Sequence, residues 1–373
     1  MNRKRMSVPE WDRHSFSLYR KIKCLQETGI MGQMEKTATR KYYEEINIMK
    51  GFAAVLVVFG HAIMQTGVEN TAFQLIYQVL YSFHMPLFFF ASGFLSIKIL
   101  DLRSGKERLE YVKSRFVRLL VPYFSMGILY LPARWLMGSY ANESYDLTES
   151  WRIFLGENPD GALWFLYALF LISIFSGVVI RRKNLPWVLA FSAVLALMSK
   201  CMVWPTIICE ETLFHLFFFV LGLYVREHYE KLQNVLCKNV SVLISAILFV
   251  GANWMMWNSY AIPYLDIRCL KLVTAPAGIL LSLNLAQLLI KSCKESNKLR
   301  RLGNLLGDYC MDIYIFAEPI KVMTKILFWS LLHWNYLLCT GLCFILPIIL
   351  AIFISKWIVR RVPVLQKLFL GKA

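Results

Sequence analysis

Charged residues are scarce in this chain, and their scarcity excludes a soluble protein. Of its 373 residues, 17% are charged and 57% are hydrophobic. Soluble domains carry about 25% charged residues, so this chain could not cover its apolar surface with polar groups. Long apolar runs recur along most of the sequence, many of them near the roughly 20 residues that a helix needs to span a bilayer. The composition predicts an all-α, polytopic membrane protein embedded in a lipid bilayer.

Motifs for metal binding and for secretion are also missing. The nine cysteines form no CxxC pair and no Cys/His spacing typical of zinc, so we expect no metal site. A disulfide among Cys201, Cys209 and Cys269 is left open. The first 43 residues are polar and basic and lack the apolar core of a signal peptide. Residues 1–43 are therefore interpreted as a basic cytoplasmic extension.

Positive charge is abundant, but its placement indicates a membrane protein and not a nucleic-acid partner. The formal net charge is +17, which in a soluble chain would suggest nucleic acid. With both termini in the cytoplasm, most of the 41 lysines and arginines fall on the cytoplasmic side of the predicted spans. We therefore expect about ten transmembrane helices with both termini cytoplasmic, a transmembrane domain over 44–357 and a basic tail over 358–373. Hydropathy places the spans at about 46–64, 73–97, 119–137, 162–180, 185–200, 210–226, 239–257, 270–290, 305–328 and 336–356.

The stretch "KGFAAVLVVFGH" places Lys50 and His61 at the two ends of an apolar run. Eleven helical steps leave these residues about 20° apart around the axis and about 16 Å apart along it. They share one face with Asn47, and a polar face in a membrane helix points to the bundle interior. Taken singly, Lys50 is explained as well by snorkelling to the interface, and His61 by packing. Together they favour a functional site, because histidine is suited to moving a proton near neutral pH.

The second predicted span contains "FHMPLFFFASGFL", in which His84 stands two residues before Pro86. Proline removes a backbone donor and is expected to kink or break the helix. Ser92 and Gly93 permit the close approach of another helix. Taken alone, this block is interpreted as packing and a kink, with His84 as a possible cavity residue.

Three carboxylates lie in the ninth predicted span, at Asp308, Asp312 and Glu318. Asp308 and Asp312 are four residues apart, which predicts that they lie on one helix face, and Asp308 suits a helix N-terminus. Asp312 and Glu318 lie deeper, and carboxylates within a membrane are candidate functional groups. Either one could orient His61 or pair with Lys50, and the sequence does not choose between them.

Two arginines, Arg115 and Arg118, stand where the third predicted span begins, in "KSRFVRLLVPY". They are three residues apart and are expected to share a helix face. One explanation is positive charge that sets the topology. The other is a cytosolic anion site, because the guanidinium group matches the geometry of phosphate.

These blocks together resemble a known family. "INIMKGFAAVLVVFGH", "FHMPLFFFASGFL", "RFVRLLVPY" and "LWFLYALF" look like successive signatures of the integral-membrane acyltransferase family 3, in family order, over about residues 44–357. The resemblance implies a bacterial inner-membrane O-acyltransferase that acylates, most often acetylates, a cell-envelope glycan or a lipid-linked sugar. It further implies that acetyl-CoA or another acyl-CoA is the donor.

The family pattern also implies roles for individual residues. Lys50 and His61 occupy the positions of a basic residue and of a histidine required for transfer. Arg115 and Arg118 correspond to a basic pair that helps to hold acyl-CoA. Trp164 falls in a Trp-Phe block that is structural or lines the cavity.

The sequence departs from the family pattern at two places. Asn47 stands where an acidic residue is frequent, and Glu318 of "IYIFAEPI" stands near an expected histidine, which raises it as a substitute polar group. A transporter or flippase of a glycan or anionic substrate is the alternative function, with Lys50 and His61 along its pathway. Inverted repeats or paired broken helices would indicate such a protein, and neither is evident in the sequence.

Overall fold

The computed structural model describes residues 42–64, 71–136, 147–236, 238–258 and 267–372. No strand occurs in these ranges, which confirms the all-α prediction. Residues 1–41, most of the predicted basic extension, lie outside the described residues. The α-helices are, in chain order, α1 (Glu44–Met64), α2 (Thr71–Phe94), α3 (Gly105–Arg115), α4 (Val121–Leu136), α5 (Trp164–Val179), α6 (Leu185–Cys201), α7 (Ile207–Glu227), α8 (Tyr229–Leu236), α9 (Asn239–Trp257), α10 (Ile267–Ser292), α11 (Lys298–Asp308), α12 (Cys310–Lys325), α13 (Tyr336–Trp357) and α14 (Pro363–Leu370).

Within the described residues, seven helical segments are long and apolar enough to cross a membrane, which confirms a polytopic membrane protein. The fifth predicted span is the shorter apolar helix α6, of 17 residues. The third and ninth predicted spans are helical but interrupted. The seven segments are Glu44–Ile63, Thr71–Phe94, Gly161–Val179, Ile207–Glu227, Val240–Trp257, Cys269–Ser292 and Tyr336–Arg361.

The interruptions in the third and ninth predicted spans have local causes. The π-helical segment Phe116–Leu120 joins α3 to α4. In the ninth span, Tyr309 adopts φ −104° and ψ 10° and ends α11, and α12 continues into a second π-helical segment, Ile326–Leu331. Asp308 and Asp312, which were predicted to lie on one helix face, therefore belong to two successive helices, α11 and α12.

Helix α1 is in contact with α2, α10, α11, α12 and α13. Its small and β-branched residues, including Ala53, Ala54 and Val57, are buried against these neighbours. Gly51 of α1 and Gly307 of α11 meet so closely that a Cβ on either would overlap the backbone of the facing helix. Small residues allow this approach, and it holds the junction between α11 and α12 against the Lys50 end of α1.

Helices α2 and α7 are joined in the same way. A Cβ on Gly93 would overlap the backbone of α7 at Phe219, and a Cβ on Gly222 would overlap the backbone of α2 at Phe90. The close helix approach predicted for Gly93 is confirmed. Helix α2 continues through Pro86 without a break, so the histidine-containing part of α2 stays in register with α7.

The last described residues form a folded segment, here called the 359–372 segment. It contains a short 3₁₀ turn followed by α14, which packs on α4. Leu370 is 2% exposed. Gly371 ends α14 in the left-handed conformation with φ 57°, which glycine adopts readily. A Cβ on Gly371 would overlap the backbone of Arg118, so the segment lies directly on the start of the third predicted span.

Candidate active site

His61 lies near the end of α1, where its imidazole meets a carboxylate of α12. His61 Nδ1 is 3.2 Å from Glu318 Oε2. The His61 side chain is 29% exposed and the Glu318 side chain 18% exposed, so the pair is shielded but not sealed. The sequence left open which carboxylate accompanies His61, and Glu318 occupies that position.

Glu318 has a second partner, Lys321, one turn further along α12. Lys321 Nζ donates a hydrogen bond to Glu318 Oε1 over 2.6 Å, and the lysine side chain is only 1% exposed. A buried ammonium group is tolerated when it is paired with an opposite charge. The carboxylate therefore uses one oxygen for each neighbour, and this arrangement orients it toward His61.

These three side chains line a small cavity. Tyr314 donates a hydrogen bond to the carbonyl oxygen of Ala162, which ties α12 to the turn before α5. A concave, mostly apolar site with a few convergent polar groups is the usual form of a ligand pocket. The other walls are formed by Val57, Val58, Ala162, Ile313, Tyr314 and Ala317.

Helix α2 supplies aromatic neighbours to His61. The Tyr81 ring centroid lies 6.3 Å from that of His61, and Tyr77 packs on Tyr81 at 3.8 Å. His84 Nδ1 donates to the carbonyl oxygen of Leu80 over 2.6 Å, and its ring meets Tyr81 at 4.7 Å. His84 is 3% exposed and is absent from the cavity walls, so it packs behind Tyr81.

The contact with Glu318 determines what the imidazole of His61 can do. A carboxylate only accepts hydrogen bonds, so in the neutral imidazole Nδ1 carries the proton and Nε2 keeps its lone pair. That nitrogen can take a proton from a hydroxyl group, and the carboxylate then stabilises the imidazolium. The arrangement is that of a general base with an orienting carboxylate.

Two other polar residues singled out in the sequence lie at the junction between α11 and α12. Asp312, 1% exposed, accepts hydrogen bonds from Arg360 Nε over 3.0 Å and from Arg360 Nη2 over 2.8 Å. Asn47, 5% exposed, donates to Asp308 over 3.0 Å. Both side chains brace the junction and have partners other than His61.

The Lys50 end of α1 lies near further cations. Lys50 and Arg118 are both within electrostatic range of Cys310, the first residue of α12. Arg115 instead covers the ring of Tyr111 at 4.9 Å, and its Nε is buried. The two arginines expected to share a face therefore have different surroundings, because the helix changes from α to π geometry between them.

Comparison with known protein families decides the identity of the fold. The profile of acyltransferase family 3, described as an acyltransferase domain, matches residues 43–356. The chain belongs to this family. The match includes the four motif blocks and confirms the resemblance noted in the sequence. No curated protein and no solved structure matches the chain significantly.

In this membrane acyltransferase, Trp164 begins α5 and packs within the helix bundle. Its ring centroid lies 5.4 Å from that of His215 and 6.2 Å from that of Phe89, and His215 stacks on Phe89 at 4.3 Å. The neighbouring Ala162, and not Trp164, contributes to the cavity wall. The Trp-Phe block thus packs against the residues around the site and does not line the cavity.

Lys321 and Tyr314 are two residues of this site in the acyltransferase that the sequence patterns did not indicate. A signal for Lys321 exists, because it follows Glu318 by three residues in "AEPIKVM", and this spacing brings an acid and a base together on one helix face. Tyr314 has no comparable signal among the 18 tyrosines of the chain. Within the described residues, no group of three His, Cys, Asp or Glu side chains is arranged to hold a metal ion.

Proposed function

We propose that this acyltransferase moves an acetyl group from cytosolic acetyl-CoA to a hydroxyl of a cell-envelope glycan or lipid-linked sugar in a bacterial inner membrane. The observation that carries the proposal is the contact between His61 Nδ1 and Glu318 Oε2 over 3.2 Å at a cavity. Lys50, on the same helix, lies at the end where other cations collect. Acyl transfer from acyl-CoA uses a base that accepts the proton of the hydroxyl and cations that bind the phosphates of the donor.

The reaction proceeds by general base catalysis. His61 Nε2 takes the proton of the acceptor hydroxyl as its oxygen attacks the carbonyl carbon of the thioester. A new C–O bond forms, the C–S bond breaks, and the departing CoA sulfur takes the proton back from the imidazolium. Glu318 stabilises the transient positive charge, and Lys321 keeps the carboxylate in place.

The donor and the acceptor approach His61 from opposite sides of the membrane in this proposal. The phosphates of acetyl-CoA bind at the cytosolic face near Lys50 and Arg118, because they are anionic and cytosolic. The thioester extends along α1 toward His61, about 16 Å further along the axis. The acceptor reaches the cavity from the external side.

Labelled acetyl transfer by the purified protein in lipid nanodiscs tests this function. We expect His61→Ala to abolish transfer from acetyl-CoA to an envelope glycan while its elution profile stays unchanged. His333→Ala is the matched control, because His333 is an exposed histidine in the turn before α13. Full transfer by His61→Ala would remove the histidine from the mechanism.

The acceptor is tested in cells. Mass spectrometry of envelope glycans with and without the gene should show the loss of an acetyl mass from one glycan class. The loss of a larger acyl mass would show that the donor is another acyl-CoA and not acetyl-CoA. Unchanged glycans would overturn the proposed acceptor.

A further inference from the structure

Four cationic side chains from separate parts of the chain converge on the junction between α11 and α12. Lys50 comes from α1, Arg118 from the π-helical segment before α4, and Arg360 and Lys372 from the 359–372 segment. Lys50 and Arg118 are within electrostatic range of the thiol at the start of α12, and Lys372 is within electrostatic range of Arg360, Arg118 and that same thiol. These four residues are called the junction cluster.

Arg360 is the fixed member of the junction cluster. Its guanidinium group binds both carboxylate oxygens of Asp312, over 3.0 Å and 2.8 Å. It also donates to the carbonyl oxygen of Asp308 over 3.0 Å and lies 3.9 Å from the ring centroid of Tyr309. Several contacts at once leave the guanidinium little freedom, so Arg360 ties the 359–372 segment to the junction.

The 359–372 segment holds Lys372 beside Arg118. The Phe369 ring packs on Phe316 of α12 at 5.8 Å. The backbone N–H of Gly371 donates to the carbonyl of Lys367 over 3.2 Å, and that of Lys372 to the carbonyl of Gln366 over 3.3 Å. The close contact between Gly371 and the Arg118 backbone then places two cations from distant parts of the chain side by side.

The two carboxylates at the junction offset only part of this charge. Asp312 is paired with Arg360 and offsets its charge, and Asp308, which accepts a hydrogen bond from Asn47, offsets one more of the four. Partial burial lowers the pKa of Lys372 from its ordinary value, and the neighbouring guanidinium groups of Arg360 and Arg118 lower it further, while Asp312 opposes this change. Cations that repel one another in the empty protein are stabilised when a polyanion binds between them.

We propose that the 359–372 segment is part of the donor site, and that Lys372 binds the phosphates of the acyl-CoA donor together with the other cations of the junction cluster. The inference rests on the proposed function for the identity of the donor. Coenzyme A carries a pyrophosphate and a 3′-phosphate, and this polyanion matches a group of two arginines and two lysines. Lys372 thereby becomes a donor-binding residue supplied by a segment far along the chain from the family's basic pair.

The affinity of the full chain for coenzyme A in detergent tests the proposal without a need for turnover. We expect Lys372→Gln to raise the Kd for coenzyme A roughly threefold to tenfold, as is typical for the loss of a partly exposed ion pair. Lys367→Gln is the matched control, because it removes the same charge from the exposed face of α14. Gly371→Val should weaken binding as well, since a side chain there overlaps the Arg118 backbone.

The outcomes separate this inference from the proposed function. Equal Kd values for Lys372→Gln, Lys367→Gln and the wild type would overturn the role of the 359–372 segment, even if acetyl transfer proceeds. If coenzyme A binding depends on Lys372 but no acyl-CoA supports transfer, the proposed function would be overturned and the inference of an anion site would stand. Removal of the 3′-phosphate from coenzyme A should weaken binding to the wild type, and identical affinity for the two ligands would exclude that phosphate from the cluster.

Discussion

Replacing Glu318 with glutamine tests the contact with His61, because the amide keeps the size of the carboxylate and removes its charge. We expect kcat for acetyl transfer to fall while KM for acetyl-CoA stays within about twofold. The donor phosphates bind at the far end of α1 in the proposed function, so their binding does not depend on Glu318. The loss arises when the proton moves, because the imidazolium then lacks its counter-charge.

The magnitude follows from the geometry. At 3.2 Å, two unit charges attract by about 5 kcal/mol at an effective dielectric constant of about 20. Lys321, bound to the other oxygen of Glu318, repels the imidazolium and reduces this value. A hydrogen bond to a charged group contributes about 1.5–3 kcal/mol net. A loss of about 2–4 kcal/mol corresponds to a roughly 30- to 1,000-fold decrease in kcat.

A second variant separates catalysis from stability. Glu318→Gln leaves the Lys321 ammonium buried without its counter-charge, which destabilises a protein by about 3–5 kcal/mol. The double variant Glu318→Gln with Lys321→Met removes both charges and keeps a similar side-chain volume. We expect the Tm in detergent to fall in the single variant and to recover in the double variant, while kcat stays low in both.

Two results would refute this reasoning. Recovery of kcat together with Tm in the double variant would make Glu318 a structural partner of Lys321 alone. A single variant with wild-type kcat would mean that the imidazole works without its carboxylate. Labelled acetyl transfer at saturating acetyl-CoA, with protein amounts matched by size-exclusion chromatography, measures both.

Three further predictions concern other parts of the chain. Lys50→Ala should raise KM for acetyl-CoA by roughly threefold to tenfold with little change in kcat, and an unchanged KM would favour snorkelling. Gly93→Leu should lower stability by about 2 kcal/mol or more, because its side chain overlaps the backbone of α7, whereas Gly251→Leu meets open space; equal Tm values for the two would contradict this packing. Mild oxidation should form a disulfide between Cys201 and Cys269, because their sulfurs lie 3.8 Å apart and need only a small shift to reach the bond length of about 2.05 Å. Peptide mapping that finds both thiols reduced would contradict the contact between α6 and α10.

The sequence was sufficient to predict the relative positions of site residues that lie on one helix. Helical periodicity alone placed Lys50 and His61 on the same face, since α1 is unbroken from Glu44 to Met64. Composition and the recurring apolar runs were sufficient to predict an all-α membrane protein. These properties depend on local spacing, which a single sequence records directly.

The identity of the carboxylate beside His61 depends on tertiary contacts and could not be predicted. Asp312 and Glu318 were equal candidates while the ninth predicted span was taken as one helix. The break at Tyr309 and the ion pair with Arg360 engage Asp312 at the junction, which leaves Glu318 to approach α1. Arg360 is 48 residues from Asp312 in sequence, so local pattern gave no indication of their pairing.

Helix α1 carries both Lys50 and His61, and because it is unbroken from Glu44 to Met64, it keeps them about 16 Å apart along its axis. A donor whose phosphates are held at one end delivers its reactive carbon at the same height whatever acyl group it carries. Any extra carbons of a longer acyl group must then extend past His61 into the small cavity between α1 and α12. In the proposed function, the separation of eleven residues along one helix therefore sets where the reactive carbon lies, and the walls of the cavity limit the length of the acyl group that fits beyond it.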